Sequence, residues 1–126
     1  MSKRILVVDD DPTLRYLVRS YLEPDGWDVQ EAGTGQEGLS HAMASPPDAV
    51  LLDVNLPDAD GRDICRRLKS DPLLEKTVVI IVSGYKTAVS DKVMGLDHGA
   101  VDYISKPFEM NILAAKLEAL LRTVEK

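Results

Sequence analysis

Four short apolar runs in this sequence are each followed directly by side chains that could do chemistry. The runs and the residues that follow them are 5–8 with Asp9 and Asp10, 49–52 with Asp53, 78–82 with Ser83, and 101–104 with Ser105 and Lys106. If the runs are parallel β-strands, their carboxyl ends meet at one edge of one sheet, where ligands bind in such folds. The four sets would then form a single site.

The combined set suits a divalent metal and a phosphoryl group. Three carboxylates that lie close together repel one another, so a hard cation such as Mg²⁺ would be attracted to Asp9, Asp10 and Asp53. Lys106 would supply a point charge for an anion, and Ser83 would supply a hydroxyl for one phosphoryl oxygen. Phosphoryl transfer needs in-line positioning and charge neutralisation more than covalent help, and these side chains meet both needs.

Each of these signals has an ordinary structural explanation when it is taken alone. An acidic run before a helix is usually a cap, an aspartate before a loop is usually a turn residue, and a single lysine is usually solvated. The joint arrangement is what favours a site, because all four sets follow predicted strands. The second predicted strand, which ends in Glu31, has no such set.

Composition and charge narrow the possible classes of protein. The 126 residues are 44% hydrophobic and 29% charged, a balance typical of one globular domain, here 1–126. A net charge of −6 argues against direct contact with nucleic acid. With one cysteine, Cys65, the chain cannot form an internal disulfide, which fits a cytoplasmic location. No apolar run approaches the roughly 18 residues that span a membrane, and no signal peptide is evident, so we expect no membrane association.

Strand-like and helical patterns alternate along the chain. Apolar runs predict strands at 4–8, 27–31, 49–52, 77–82 and 101–104, and their nearly continuous apolar character suits strands covered on both faces. Helical spacing and capping signals predict helices at 12–22, 34–44 with its cap, 61–70, 87–98 and 110–124. Five βα units without a linker predict an α/β fold, a (βα)5 doubly wound parallel five-stranded sheet.

These motifs resemble those of one known family, the receiver domains of two-component response regulators. The matching stretches are 5–11 (ILVVDDD), 52–61 (LDVNLPDADG), 80–84 (IIVSG) and 102–108 (DYISKPF). The resemblance runs from about residue 3 to about residue 122, which is nearly the whole chain. It implies a flavodoxin-like sheet with the strand order 2-1-3-4-5.

The resemblance also implies a role for each residue of the site. Asp53 would be the phosphoacceptor. Asp9 and Asp10 would hold Mg²⁺ together with Asp53 and the backbone carbonyl of Asn55. Lys106 would bind the phosphoryl group.

A conformational switch is implied in the same way. Ser83 would be the switch hydroxyl and Tyr103 its aromatic partner. A cis peptide bond is usual before the proline that is here Pro107, although it is rare for X-Pro bonds in general. Two residues depart from the usual pattern: Tyr85 is bulky, which leaves the lifetime of the phosphoryl group open, and His98 stands where a small or acidic residue is common.

The function that the resemblance implies is signalling. A sensor histidine kinase or a histidine phosphotransfer protein would present a phosphohistidine, and an output protein would read the 86–122 face. The domain would catalyse its own phosphorylation and slow dephosphorylation, so a turnover enzyme is not implied. A stand-alone regulator and a receiver cut from a larger protein both fit the sequence.

Four other interpretations compete with this one. A haloacid-dehalogenase-type phosphohydrolase would use Asp9 as its nucleophile, but the 53–61 stretch would then have no role and the usual cap would have no room. The GTGQEG stretch at 33–38 matches the dinucleotide fingerprint, but it follows an edge strand. A calcium loop starting at Asp53 would need glycine where Asp58 stands. A flavodoxin-like electron carrier would need a Ser/Thr-rich loop after strand 1.

Overall fold

A parallel five-stranded sheet forms the centre of the protein. The computed structural model describes residues 3–84 and 102–125. The strands are β1 Arg4–Val8, β2 Asp28–Ala32, β3 Ala49–Asp53, β4 Val78–Ser83 and β5 Asp102–Ser105. They lie in the order β2-β1-β3-β4-β5, and every pairing is parallel. The predicted doubly wound sheet and its strand order are confirmed.

Helices connect the strands and cover both faces of the sheet. Those within the described residues are α1 Pro12–Leu22, α2 Gly35–Ala44, α3 Gly61–Lys69 and α4 Met110–Glu125. Short 3-10 turns follow α1 at Glu23–Asp25 and α3 at Pro72–Leu74. The predicted helix at 87–98 lies outside the described residues, as do Tyr85 and His98.

The first three helices each begin at a polar cap residue. Asp11 accepts a hydrogen bond from the Thr13 amide before α1, where Pro12 occupies the first turn. Thr34 caps α2 and Asp60 caps α3 in the same way. The loops after β1 and β2 are therefore short, whereas the loop between β3 and α3 spans residues 54–60.

Most strand boundaries differ from the predicted ones by one residue. The second strand starts at Asp28, because the Trp27 amide donates to the Leu22 carbonyl and belongs to the preceding turn. Gly26 in that turn has a φ of 96°, which favours glycine. At the carboxyl edge of the sheet, β3 and β4 extend to Asp53 and Ser83, so each of these polar residues is the last member of its strand.

Two apolar layers, one on each face, bury the sheet. Alternate residues such as Ile5 and Ile80 face one layer, which contains Leu113 and Leu117 of α4. The intervening residues face the other layer, whose members include Ile64, Cys65 and Leu68 of α3. The central strands are therefore covered on both faces, as their apolar sequences predicted.

Lys69 holds the connection between α3 and β4. Its ammonium donates to the carbonyls of Leu74, Glu75 and Thr77 at 2.9, 3.1 and 2.7 Å. All three ammonium hydrogens are used in this way. The connection is therefore organised around one positive charge.

Candidate phosphoryl and magnesium site

Asp9, Asp10 and Asp53 come together at the carboxyl edge of the sheet. Val8 of β1 lies in register with Leu52 of β3, so the two residues that follow them reach the same level. One carboxylate oxygen from each of the three aspartates lies within 4.8 Å of the other two. Asp9 and Asp53 are buried, whereas Asp10 is exposed. The cluster thus combines two buried carboxylates with one that faces solvent.

Hydrogen bonds in the loop after β1 fix Asp9. Its amide donates to the Ala32 carbonyl at 3.0 Å, which continues the β1–β2 ladder beyond the end of β1. Its Oδ1 accepts a hydrogen bond from the Asp11 amide at 2.9 Å. Its Oδ2 lies 3.0 Å from Lys106 Nζ. Both oxygens of this buried carboxylate therefore have positively polarised neighbours.

Asp53 has a similar environment one strand away. Its Oδ1 accepts a hydrogen bond from the Asn55 amide at 3.2 Å, and its Oδ2 accepts one from Lys106 Nζ at 3.2 Å. Burial raises the pKa of the Asp53 carboxyl, and the charge of Asp9 raises it further. Lys106 and the Asn55 amide oppose this rise without cancelling it. Additional positive charge beside Asp53 would favour its ionised form.

Lys106 bridges the two buried aspartates from the loop after β5. Its amide donates to the Ser83 carbonyl at 2.8 Å, and the Lys106–Pro107 peptide bond is cis, as the resemblance implied. Burial on its own would lower the pKa of the Lys106 ammonium, but close contact with Asp9 and the charge of Asp53 outweigh it and raise the pKa. Lys106 is therefore a stable positive charge in this site.

Ser83 ends β4 as a buried residue. Val82, the residue before it, lies in register with Asp53, so Ser83 sits at the level of the acidic cluster. Its Oγ is buried and has no hydrogen-bond partner among the described residues. A buried hydroxyl without a partner is costly, and a ligand oxygen arriving at this edge would give it one.

Close backbone packing shapes the loop between β3 and α3. The Gly61 amide donates to the Val54 carbonyl at 2.8 Å, and Asn55 forms an antiparallel bridge with Asp60. A Cβ atom on Gly61 would overlap the Asp53 carbonyl, so this position requires glycine. The loop that contains Asn55 is thus anchored directly against the backbone of the candidate phosphoacceptor.

Tyr103 lies on β5, two strands away from Asp53. It is in register with Ile81 of β4 and packs against the apolar layer beneath α2 and α3. Its ring is half-buried. The structure therefore places Tyr103 next to the strand that ends in Ser83, but not among the acidic side chains.

Two side chains to which the sequence analysis assigned no role in the site also support it. Asp58 accepts hydrogen bonds from the amides of Gly35 and Gln36 at 2.7 and 3.0 Å, which ties the loop after β3 to the start of α2. Arg15 of α1 donates from Nη1 to the Asp9 carbonyl at 2.6 Å. The one sequence feature that could have indicated a role for Arg15 is Glu31, an acidic residue near the end of β2 and the partner of Arg15.

The arrangement gathers oxygen ligands for a hard cation, a fixed ammonium and an unsatisfied hydroxyl around one carboxylate. A family model described as the response regulator receiver domain matches residues 5–118. This chain belongs to that family. The receiver is thus a signalling module of two-component systems, and such modules are not classical enzymes.

Curated relatives match the receiver along almost its whole length. The DNA-binding dual master transcriptional regulator RpaA of Synechocystis is 39% identical over 98% of this chain and 51% of its own length. The response regulator MprA of Mycobacterium bovis is 43% identical over 97% of this chain and 52% of its own. The PhoP regulator of alkaline phosphatase synthesis from Bacillus subtilis is 39% identical over 99% and 51%. The chain spans about half the length of these relatives.

Solved structures of similar size match the fold. A CheY-like receiver domain protein from Methanospirillum hungatei superposes with a TM-score of 0.92 at 32% identity, covering 99% of this chain and 98% of that one. A response regulator from Chloroflexus aurantiacus gives 0.90 at 32% identity, covering 97% and 99%. These likenesses confirm the flavodoxin-like fold.

Family membership argues against the competing interpretations. The 33–38 stretch does open a helix, α2, but the first amides of α2 are already bonded to Asp58 and to the Thr34 cap, which leaves them unavailable to a dinucleotide phosphate. The receiver match likewise disfavours a haloacid-dehalogenase-type hydrolase built on Asp9. None of the helices in the described residues is long and apolar enough to cross a membrane.

Proposed function

We propose that this receiver accepts a phosphoryl group on Asp53 from a phosphohistidine. The donor would be a sensor histidine kinase or a histidine phosphotransfer protein. The observation that carries the proposal is the environment of Asp53, a buried carboxylate with Lys106 Nζ at 3.2 Å and two further aspartates within 4.8 Å. A phosphoryl group on Asp53 would therefore lie beside the Lys106 ammonium and beside the acidic cluster that could hold a metal ion.

The transfer follows from the positions of the side chains. A carboxylate oxygen of Asp53 attacks the phosphorus in line with the phosphorus–nitrogen bond. That bond breaks, and its electron pair stays on the imidazole of the donor. Lys106 stabilises the negative charge on the transferred group, and the Ser83 hydroxyl donates to one of its oxygens. Later attack of water on phosphorus releases phosphate and restores the carboxylate.

Mg²⁺ fits the donor set. Asp9, Asp10 and Asp53 would hold it, and the backbone carbonyl of Asn55 would complete the protein ligands. All of these are hard oxygen ligands, which Mg²⁺ prefers, and it usually keeps several waters as well. When bound, it supplies positive charge that neutralises the phosphoryl oxygens.

Phosphorylation would be read out through Ser83 and Tyr103. The added group carries close to two negative charges, which draw the Ser83 hydroxyl toward it. Tyr103 packs beside β4 and would turn inward as Ser83 moves. The output protein would then bind the 86–122 face.

We propose that the domain works in the cytoplasm and does not itself contact nucleic acid. A cytoplasmic location agrees with one buried cysteine, Cys65, in a chain that cannot form an internal disulfide. The relative RpaA is described as DNA-binding but is about twice as long as this chain. We propose no direct nucleic-acid contact for this domain itself, because its net charge of −6 would repel phosphate backbones.

Phosphorylation by a small phosphodonor tests the assignment. Acetyl phosphate with Mg²⁺ should modify the protein once, and borohydride trapping with peptide mapping should place the modification on Asp53. The Asp53→Asn variant should remain unmodified. Label on Asp9 that persists in this variant would instead favour the phosphohydrolase mechanism.

A further inference from the structure

The second strand contributes to the site through a relay of side chains. Glu31, near the end of β2, lies in register with Val7 of β1. Its Oε1 accepts a hydrogen bond from Arg15 Nε at 2.9 Å, and its Oε2 accepts one from Arg19 Nε at 2.8 Å. Both arginines come from α1, so one carboxylate fixes two side chains of the adjacent helix.

Arg15 links Glu31 to the backbone of the acidic cluster. While its Nε is held by Glu31, its Nη1 donates to the Asp9 carbonyl at 2.6 Å. That carbonyl belongs to the peptide unit between Asp9 and Asp10, the two aspartates that begin the metal-binding set. The guanidinium is rigid and planar, so fixing one nitrogen largely fixes the direction of the other.

Close packing confines the guanidinium further. The Arg15 side chain is 20% exposed and its partner Glu31 is 30% exposed. A Cβ atom added at Gly33 would lie 3.5 Å from Arg15 Nη1, which is ordinary contact distance, so the loop after β2 passes directly beside it. Arg15 therefore spans α1, β2 and the loop after β1.

We propose that Arg15, oriented by Glu31, is a positioning residue that sets the Asp9–Asp10 peptide so that both carboxylates point toward one Mg²⁺. This inference rests on the magnesium site of the proposed function. Side chains that orient metal ligands in this way typically cost about tenfold or more in metal affinity when they are removed.

The sign of the effect separates positioning from electrostatics. Arg15 is a positive charge near a cation site, so its charge alone opposes Mg²⁺ binding. If charge were all that mattered, Arg15→Ala would bind Mg²⁺ more tightly than the parent. Loss of positioning predicts the opposite, a dissociation constant about tenfold higher.

Arg19 provides a matched control. It also donates to Glu31 and comes from the same helix, but its second hydrogen bond goes to Glu23 and not to Asp9. Arg19→Ala therefore removes a comparable ion pair and a comparable charge while leaving the Asp9 carbonyl bonded. It should change the Mg²⁺ dissociation constant by less than about twofold.

The experiment is calorimetric titration of Mg²⁺ into the parent, R15A, R19A and R15K proteins, with thermal unfolding of each. R15K should recover part of the Mg²⁺ affinity that R15A loses. A lysine offers a hydrogen-bond donor, but it lacks the rigid guanidinium that donates to Glu31 and to the Asp9 carbonyl from two nitrogens. As a second readout without metal, the ¹⁵N shift of the Asp10 amide should change in R15A and stay constant in R19A.

The outcomes are distinct. Mg²⁺ binding by R15A that equals or exceeds that of the parent would overturn the relay while the metal site stands. A parent that binds no Mg²⁺ would overturn the metal site of the proposed function. If R15A does not fold, Glu31→Gln replaces it, with Glu23→Gln as its control. Without metal, an Asp10 ¹⁵N shift that changes in E31Q but not in E23Q supports the relay, and equal shifts in the two variants reject it.

Discussion

Lys106 contacts two buried carboxylates, Asp9 at 3.0 Å and Asp53 at 3.2 Å. Lys106→Ala would leave these like charges facing each other without a cation. We expect the free energy of unfolding to fall by about 2 kcal/mol in metal-free buffer, measured by urea denaturation. The control is Lys116→Ala, which breaks the more exposed Lys116–Asp102 pair at 2.9 Å and should cost under about 1 kcal/mol. Equal losses in the two variants would contradict the prediction.

The raised pKa of Asp53 makes stability depend on pH. Its ordinary value is 3.8, and between that value and the higher folded pKa the folded state binds the proton more tightly than the unfolded state does. Stability contributed by this group is therefore lost as the pH rises through that window. Metal-free Asp53→Asn should be more stable than the parent at pH 7, with a difference that shrinks toward pH 3.8. Urea unfolding at both pH values measures this, and a constant difference would contradict it.

At the scale of elements, the loop from β3 to α3 depends on Gly61. A methyl group there would overlap the Asp53 carbonyl, so the backbone must shift. Gly61→Ala should lower the free energy of unfolding by about 2 kcal/mol or more and slow phosphorylation by acetyl phosphate. Gly84→Ala is the stability control, because no atom of the residues that the structure describes lies within 4 Å of its added Cβ. A stability loss in G84A as large as that in G61A would show that the carbonyl contact is unimportant.

Asp58 couples the same loop to α2. Two amide hydrogen bonds, from Gln36 and Gly35, lower the pKa of the Asp58 carboxyl. The stability that it contributes is present above its ordinary pKa of 3.8 and is lost as the pH falls through the lower folded value. Asp58→Ala should speed hydrogen exchange of the Gly35 and Gln36 amides. Thr34→Ala removes the Glu37 bond and should leave those two amides protected. Equal exchange rates in both variants would argue against this coupling.

The sequence predicted the elements better than the contacts between them. Apolar runs located all five strands to within about one residue, because buried parallel strands require continuous apolar side chains. The same runs predicted that Asp9, Asp53, Ser83 and Lys106 would share an edge. What decides their separation is the register between strands, which follows from the whole sheet and not from any one segment.

Supporting side chains were harder to predict than the site itself. Arg15 and Glu31 are 16 positions apart, and Gly35 and Asp58 are 23 apart. In the sequence Arg15, Glu31 and Asp58 resemble ordinary surface charges, and the role of each depends on which helix packs beside which loop. Periodicity locates the buried face of a helix, but it does not predict which polar residue at the edge of that face finds a distant partner.

For the whole molecule, Mg²⁺ should act as a stabilising ligand. Asp9, Asp10 and Asp53 repel one another without a cation, and a ligand that binds only the folded state stabilises it by mass action. At a Mg²⁺ concentration about ten times its Kd, the gain should be about 1.4 kcal/mol. Asp10→Ala should remove this gain and raise the metal-free melting temperature. A parent melting temperature unchanged by millimolar Mg²⁺ would contradict the site.

The reactivity of the Lys69 amine should report local opening of the connection between α3 and β4. With its ammonium enclosed by the carbonyls of Leu74, Glu75 and Thr77, an amine-directed acylating reagent cannot attack it while those bonds persist. Exposed lysines such as Lys76 should acylate quickly, whereas Lys69 should acylate more slowly, in proportion to the fraction of molecules in which this segment is open. The ratio of the two rates, read by mass spectrometry, would give the free energy of that opening without any denaturant.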